Sequence, residues 1–324
     1  MKKKNRNILI AVVTTLVIAT AGILTGAGCY MLNFSLGYKP EQRLSKEAQL
    51  QRVRRECPWT NAWMDSVYSS HCLRDTFVTM PSGYRAHAIY LHAPHPTDST
   101  AIVVHGYKMR AESMLHIAYL YHHDMGWNVL LPDLYGHGQS DGDHIQMGCL
   151  DRWDAIRWAE VAHNIFSAGN DSAYEVMHGI SMGAATTMAA SGEKTPCYLR
   201  AFVEDCGYTC VRDEFTCQLK EQFGLPAFPL MDVTSWLCRL KYGWSFDGIR
   251  QIDQVAKCSK PMLFIHGDND DFVPSWMVHP LYRAKQHGRK AIFIAKGSAH
   301  AMAYRDHHKE YTRAVREFLG KVKR

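Results

Sequence analysis

Two observations predict an α/β fold with a mostly parallel, eight-stranded sheet flanked by helices. Eight short apolar runs recur along the chain, and stretches of helical length lie between most of the later ones. After the fifth run stands "VMHGISMGAATT", Val176 to Thr187, where Ser181 sits between Gly179 and Gly183. A chain of 324 residues with 47% hydrophobic content can bury a sizeable core. The formal charge of +6 collects largely in "MKKKNR" and "KVKR" at the two ends rather than in a stripe with interleaved aromatics, which argues against nucleic-acid binding.

The first element, residues 1–32, is a cationic "MKKKNRN" followed by "ILIAVVTTLVIATAGILTGAGCYML", an apolar run of bilayer-spanning length. It is expected to be a membrane anchor, with a cleaved secretory signal as an alternative. "GAGC", Gly26 to Cys29, also resembles the end of a lipoprotein signal in which Cys29 would carry the lipid, although Gly26 stands where that pattern wants Leu. Lys2, Lys3, Lys4 and Arg6 favour an extracytoplasmic body, whereas Lys39, Arg43, Lys46 and Arg52 vote the other way. Residues 33–74 read as a linker and a leading helix, "RLSKEAQLQRVRRE", with Leu44, Leu50 and Val53 docking on the body.

One domain is expected over residues 75–324. Its strands are "DTFVTM", "RAHAIYLH", "AIVVHG", "WNVLLPD", "AYEVMHG", "LRAFVED", "PMLFIHG" and "KAIFIAKG". The first two, joined by "PSGY", form an antiparallel hairpin at one edge. "DRWDAIRWAEVAHNIF" is a flanking helix, and "HKEYTRAVREFLGKV" closes the chain with Tyr311, Val315, Phe318, Leu319 and Val322 on one face. Residues 207–259 are long for a connection and rich in Phe, Leu, Trp and Pro, so they are expected to form a small helical lid. Phe223, Phe228, Trp236 and Trp244 are its candidate substrate-pocket residues. Ten cysteines match neither a zinc knuckle nor a CxxC pair and read as core residues or a disulfide or two. No sequence signal bears on oligomeric state.

A strand that turns sharply into a helix forces the residue at the turn into a strained conformation, and its neighbours must be small. Gly179 and Gly183 supply that room, so the Ser181 hydroxyl stands above the carboxyl ends of the strands. The Met182 N–H opens the following helix and can face a developing oxyanion. A serine needs a base and a group to orient that base. After the seventh run comes "HGDNDDFVP", with Asp268, Asp270 and Asp271, and after the eighth comes "SAHAM", with His300 ahead of the last helix.

Taken together, these motifs resemble the serine α/β-hydrolase superfamily over roughly Asp75 to Val322. "VVHGY" is similar to its HG turn, which implies the Tyr107 N–H as second oxyanion donor. "LLPDLYGHGQSDG" resembles its D-x-R-G-x-G-x-S stretch with Tyr135 in place of Arg, a departure that removes a common buried cation. "HGDNDDFVP" resembles HG-x-x-D-x-x-V-P, which implies Asp270 as the acid, with Asp205 as the location some relatives use. "GDHIQMGCLDRWDAIRW" and "EDCGYTCVRDEF" are similar to membrane-anchored or exported bacterial members described only as hydrolases. The resemblance implies a nucleophile elbow and a Ser181–Asp270–His300 triad cleaving a small-molecule ester or acyl substrate, with no metal or cofactor. Carboxylesterase is the expected activity. The alternatives are a serine aminopeptidase, an acyltransferase, or a non-catalytic membrane-tethered binding protein.

Overall fold

All eight apolar runs are strands of one sheet in the computed structural model, which describes residues 3–167 and 173–323. The opening residues Met1 and Lys2 of the expected membrane segment lie outside the described residues. The chain begins with three helices, α1 (Lys3–Leu36), α2 (Lys46–Glu56) and α3 (Asn61–Ser69). Next come β1 (Arg74–Thr79), β2 (Arg85–Leu91), β3 (Ser99–Val104), α4 (Leu115–Tyr119) and β4 (Asn128–Pro132). The middle of the chain forms α5 (Asp151–Phe166), β5 (Tyr174–Ile180), α6 (Met182–Ser191) and β6 (Leu199–Asp205). Helices α7 (Val211–Phe223), α8 (Leu230–Tyr242) and α9 (Gln251–Lys257) precede β7 (Met262–Gly267). The end consists of α10 (Val278–Ala284), β8 (Lys290–Ala295), α11 (Ala303–Asp306) and α12 (His308–Lys323).

The strand order is β1-β2-β4-β3-β5-β6-β7-β8. β1 pairs antiparallel with β2, and β2 antiparallel with β4, while every later pairing is parallel. The central strands β3, β4, β5 and β7 are buried at every residue, as parallel strands covered on both faces must be. One face packs on α5, α6, α9 and α10 through Trp158, Met188, Val255 and Leu281. The other packs on α3, α4 and α12 through Met64, Ile117, Tyr311 and Phe318. The α12 stripe is buried as its spacing predicts, with Val322 only partly covered.

Three features differ from the sequence expectation. The segment 33–74 holds two helices rather than one. Ser45 caps α2 by accepting the Ala48 N–H, and Val53 is buried and Leu50 half-buried, but Leu44 is exposed. Residues 207–259 divide, because α7 and α8 border a cavity at the end of the sheet whereas α9 packs on α6 as an ordinary flanking helix. Finally, the loop that carries Tyr135 receives a cation from afar. The Arg43 guanidinium donates to the carbonyls of Gly138 at 3.0 Å, Ser140 at 2.7 Å and Gly142 at 2.5 Å, holding the loop after β4. Among the described residues all ten cysteines are free thiols, six of them buried.

Because Met64 is fully buried against the sheet, α3 belongs to the fold rather than to a tether. Met64→Ala is expected to cost about 2–5 kcal/mol, the usual range for a buried large-to-small change. Thermal unfolding of the full chain in detergent micelles checks it, and an unchanged Tm would make α3 dispensable.

Candidate active site

The turn from β5 into α6 holds Ser181 at φ 58° and ψ −118°, a left-handed conformation for a residue with a side chain. Two glycines permit it by close approach. A Cβ on Gly179 would fall 2.0 Å from the Gly183 carbonyl oxygen, and one on Gly183 would fall 2.1 Å from that of Val104. The turn is pinned by the Ser181 N–H donating to the Asp205 carbonyl at 2.8 Å, which ties the end of β5 to the end of β6. Met182 is the first helical residue, so its N–H precedes the intrahelical ladder and is free of an i−4 partner. Gly106 lies against Ser181, which brings the Tyr107 turn to the same spot. Tyr107 and Met182 both line the cavity that opens at Ser181.

His300 reaches the serine from the loop after β8. Its Nε2 lies 2.8 Å from Ser181 Oγ, and its Nδ1 lies 2.8 Å from Asp270 Oδ2. A carboxylate only accepts, so Nδ1 carries the ring proton and Nε2 presents a lone pair to the hydroxyl. Asp270 Oδ1 accepts the backbone N–H groups of Phe272 at 3.1 Å and Val273 at 3.0 Å. His266 completes the shell, donating from Nε2 to the Val273 carbonyl at 3.0 Å, with the same nitrogen 3.3 Å from Asp270 Oδ2. Burial of Asp270 opposes ionisation, but hydrogen bonds from His266 and His300 outweigh it and hold the carboxyl below its ordinary value. The His266 ring is likewise desolvated, yet its contact with Asp270 and the nearby Glu204 charge push its pKa up.

Two of the other candidate acids are engaged elsewhere. Asp268 accepts the Gly297 N–H at 2.5 Å, and Asp205 accepts the Tyr311 hydroxyl at 2.8 Å. Burial raises the Asp205 carboxyl to about 6. His178, inside the serine motif itself, is a core residue bonded to the Tyr121 hydroxyl at 3.0 Å and the Tyr311 hydroxyl at 2.9 Å. Cys206, Asp270 and His300 place ligand-type atoms within 4.8 Å of one another. They make a poor metal site, since both His300 nitrogens are engaged and burial holds the Cys206 thiol well above its ordinary range.

A cleft of about 790 Å³, counted to its open mouth, leads away from Ser181. Its walls are mainly apolar, with Met147, Phe215, Leu219, Met231 and Phe246 among them. Of the four candidate pocket residues, Phe223 is among its lining. The other three are not: Phe228 and Trp236 point into solvent at 77% and 58% exposure, and Trp244 is buried in the core beside Phe246. Aromatic composition marks an apolar segment but not which face of each helix turns inward. Met31, Phe34 and Ser35 of α1 were not foreseen as wall residues, because the helix is apolar nearly all round and its spacing singles out no face. His266 was also missed, and its only sequence signal is the four-residue spacing to Asp270. Glu214 is the one acidic wall residue among the described lining. Burial raises its carboxyl from an ordinary 4.5 to about 8, and Gln218 donates to it at 3.1 Å.

Residues 123–323 match the family model described as the prolyl oligopeptidase family. The uncharacterized protein YqkD of Bacillus subtilis (strain 168) is 30% identical over 280 residues, covering 86% of this chain and 89% of that one. Among solved structures, the esterase Pf2001 of Pyrococcus furiosus superposes with a TM-score of 0.63 at 19% identity, covering 78% of this chain and 93% of its own. A puromycin-hydrolyzing peptidase of Mycobacterium tuberculosis gives a TM-score of 0.58 at 18% identity, covering 77% of this chain but 39% of the peptidase.

The raised carboxyl of Glu214 makes a stability prediction. A group whose folded pKa exceeds its unfolded value stabilises fully below the unfolded value, and that contribution is lost as pH rises through the folded one. Glu214 therefore lowers stability progressively between about pH 4.5 and about pH 8. In Glu214→Gln the decline of Tm over that window is expected to be shallower than in the parent protein. Identical pH profiles would show that the carboxyl is ionised in the fold.

Proposed function

Because the chain belongs to the prolyl oligopeptidase family, within the serine α/β-hydrolase superfamily, we propose that it hydrolyses carboxylic esters with Ser181 as nucleophile, His300 as base and Asp270 as the orienting acid. The observation that supports this reading most strongly is the hydrogen-bonded relay from Asp270 through His300 to Ser181 at the head of an apolar cleft. Ser181 Oγ attacks the ester carbonyl while His300 Nε2 takes its proton, and the imidazolium so formed is stabilised by Asp270. The Met182 and Tyr107 N–H groups receive the oxyanion, each such donor contributing about 3–4 kcal/mol in comparable sites. Collapse returns the proton from His300 to the leaving alcohol. Water then attacks the acyl-enzyme with His300 again as base.

An aminopeptidase must hold a free ammonium group, and the natural device is an ionised carboxylate. Glu214 is the acidic residue at hand on the described wall, and burial keeps it protonated at neutral pH, which favours an uncharged ester. The family assignment and the peptidase neighbour sustain peptide or amide hydrolysis as the second reading. The apolar part of α1 is read as a retained anchor with the hydrolase body on the extracytoplasmic side, and α7–α8 as the lid.

Ser181→Ala is expected to lower kcat on p-nitrophenyl esters by on the order of 10⁶-fold and to abolish labelling by a fluorophosphonate probe. Asp270→Asn is expected to retain labelling at a reduced rate and to lose about 10⁴-fold in kcat. Aminoacyl p-nitroanilides run beside the esters separate the two readings, and faster turnover of the anilides would displace the esterase.

A further inference from the structure

The end of α1 is at once the foot of an apolar helix and a wall of the cleft. From Ile8 to Gly26 the helix is almost entirely uncovered by the body, a length of about 28 Å at 1.5 Å per residue, close to the hydrocarbon thickness of a bilayer. The body first closes on it at Ala27 and Gly28, where Gly28 is packed so tightly on α8 that an added Cβ would lie 2.9 Å from Leu237 Cδ1. One and two turns further on, Met31, Phe34 and Ser35 join Ser181 and Met182 in lining the cleft. The Phe34 ring meets Phe223 edge-on at 5.5 Å, and the Ser35 carbonyl accepts the Tyr107 hydroxyl at 2.7 Å.

The most exposed of the wall residues, Phe34, Gln222, Phe223 and Phe272, mark where the cleft opens. Helix α8, whose Leu230, Met231 and Thr234 line the same cleft, and the link before it present Phe228 at 77%, Trp236 at 58% and Leu240 at 64% exposure. Trp236, Arg239 and Leu240 are spaced three and four residues apart and so share one face of α8. Water-exposed apolar clusters of this kind mark interaction surfaces, and tryptophan with a neighbouring cation is the signature of a membrane–water interface.

Resting on the esterase reading above, we propose that the acyl substrate enters from the lipid leaflet in which α1 ends: the cleft takes the long apolar chain of a membrane amphiphile ester past the touching Phe34 and Phe223 rings at its mouth, while Phe228, Trp236 and Leu240 seat α8 in the leaflet. The bilayer is the occupant of this surface because the helix that crosses it is continuous with the cleft wall. A long acyl chain passing from lipid to an apolar cleft exposes none of its methylenes to water, whereas capture from solution would expose them all. A short, soluble ester needs no such route.

The full chain is reconstituted in phosphatidylcholine vesicles and given p-nitrophenyl palmitate dissolved in the bilayer or p-nitrophenyl butyrate in the buffer. The combined variant Phe228→Asp, Trp236→Asp, Leu240→Asp, whose three positions lie outside the cleft wall, is expected to lose at least tenfold in palmitate turnover. Butyrate turnover and fluorophosphonate labelling should be unchanged, which also shows that the variant is folded. Equal palmitate turnover by variant and parent, or cleavage of butyrate but not palmitate by the parent, overturns the leaflet route and leaves the esterase standing. Failure of both esters together with failure of labelling overturns both. Independently of activity, brominated lipids should quench a tryptophan signal that disappears in Trp236→Phe, and an unquenched signal removes Trp236 from the leaflet.

Discussion

The backbone at Ser181 can take its left-handed turn only because β5, the start of α6 and the end of β3 approach to within the reach of a single missing methyl group at Gly179 and at Gly183. That contact sets the height of Ser181 above the sheet. It also sets the origin of α6, whose first N–H groups lie beside the serine. The Ser181 N–H to Asp205 carbonyl bond then carries the same constraint into β6, and the Cys206 N–H continues it to the Ile265 carbonyl of β7. The strand ends that carry Ser181, Asp270 and His300 are thereby held in one frame by parallel hydrogen bonding.

Within that frame the electrostatics are uneven by design of the packing. Asp270 is buried yet kept ionised, since two backbone N–H groups and two imidazoles surround its oxygens. Glu204 and Glu214 are buried without comparable donors, and burial raises each to about 8. The difference lies in hydrogen-bond supply rather than depth. The result is an ionised Asp270 at the end of the relay and a protonated Glu214 on a cleft wall that is mainly apolar.

The amino-terminal segment is tied into this frame at several points. Arg43 binds three carbonyls of the loop after β4, the Tyr38 N–H donates to the Asp143 carbonyl at 3.1 Å, and the Ile145 N–H to that of Leu36 at 2.8 Å. These bonds seat the last turns of α1 against the cleft. The Arg43 cation thereby holds the loop that carries Tyr135.

Strand identity, the edge hairpin and the buried stripe of α12 were legible in the residues, because alternation and helical spacing are local properties that burial then enforces. So was the candidate serine, since only small neighbours allow its turn, and so was His300, by its place after the last strand. Among Asp268, Asp270, Asp271 and Asp205 the residues themselves did not choose, and only the motif's resemblance pointed to Asp270; the tertiary structure turns Asp270 toward His300 and engages Asp268 and Asp205 elsewhere. Chain closure likewise decided which aromatics of residues 207–259 face the cleft, how Arg43 meets the β4 loop and why Phe34 walls the cleft. Each of these is a contact between residues far apart in the chain, whose geometry depends on how whole elements pack rather than on the spacing of neighbours.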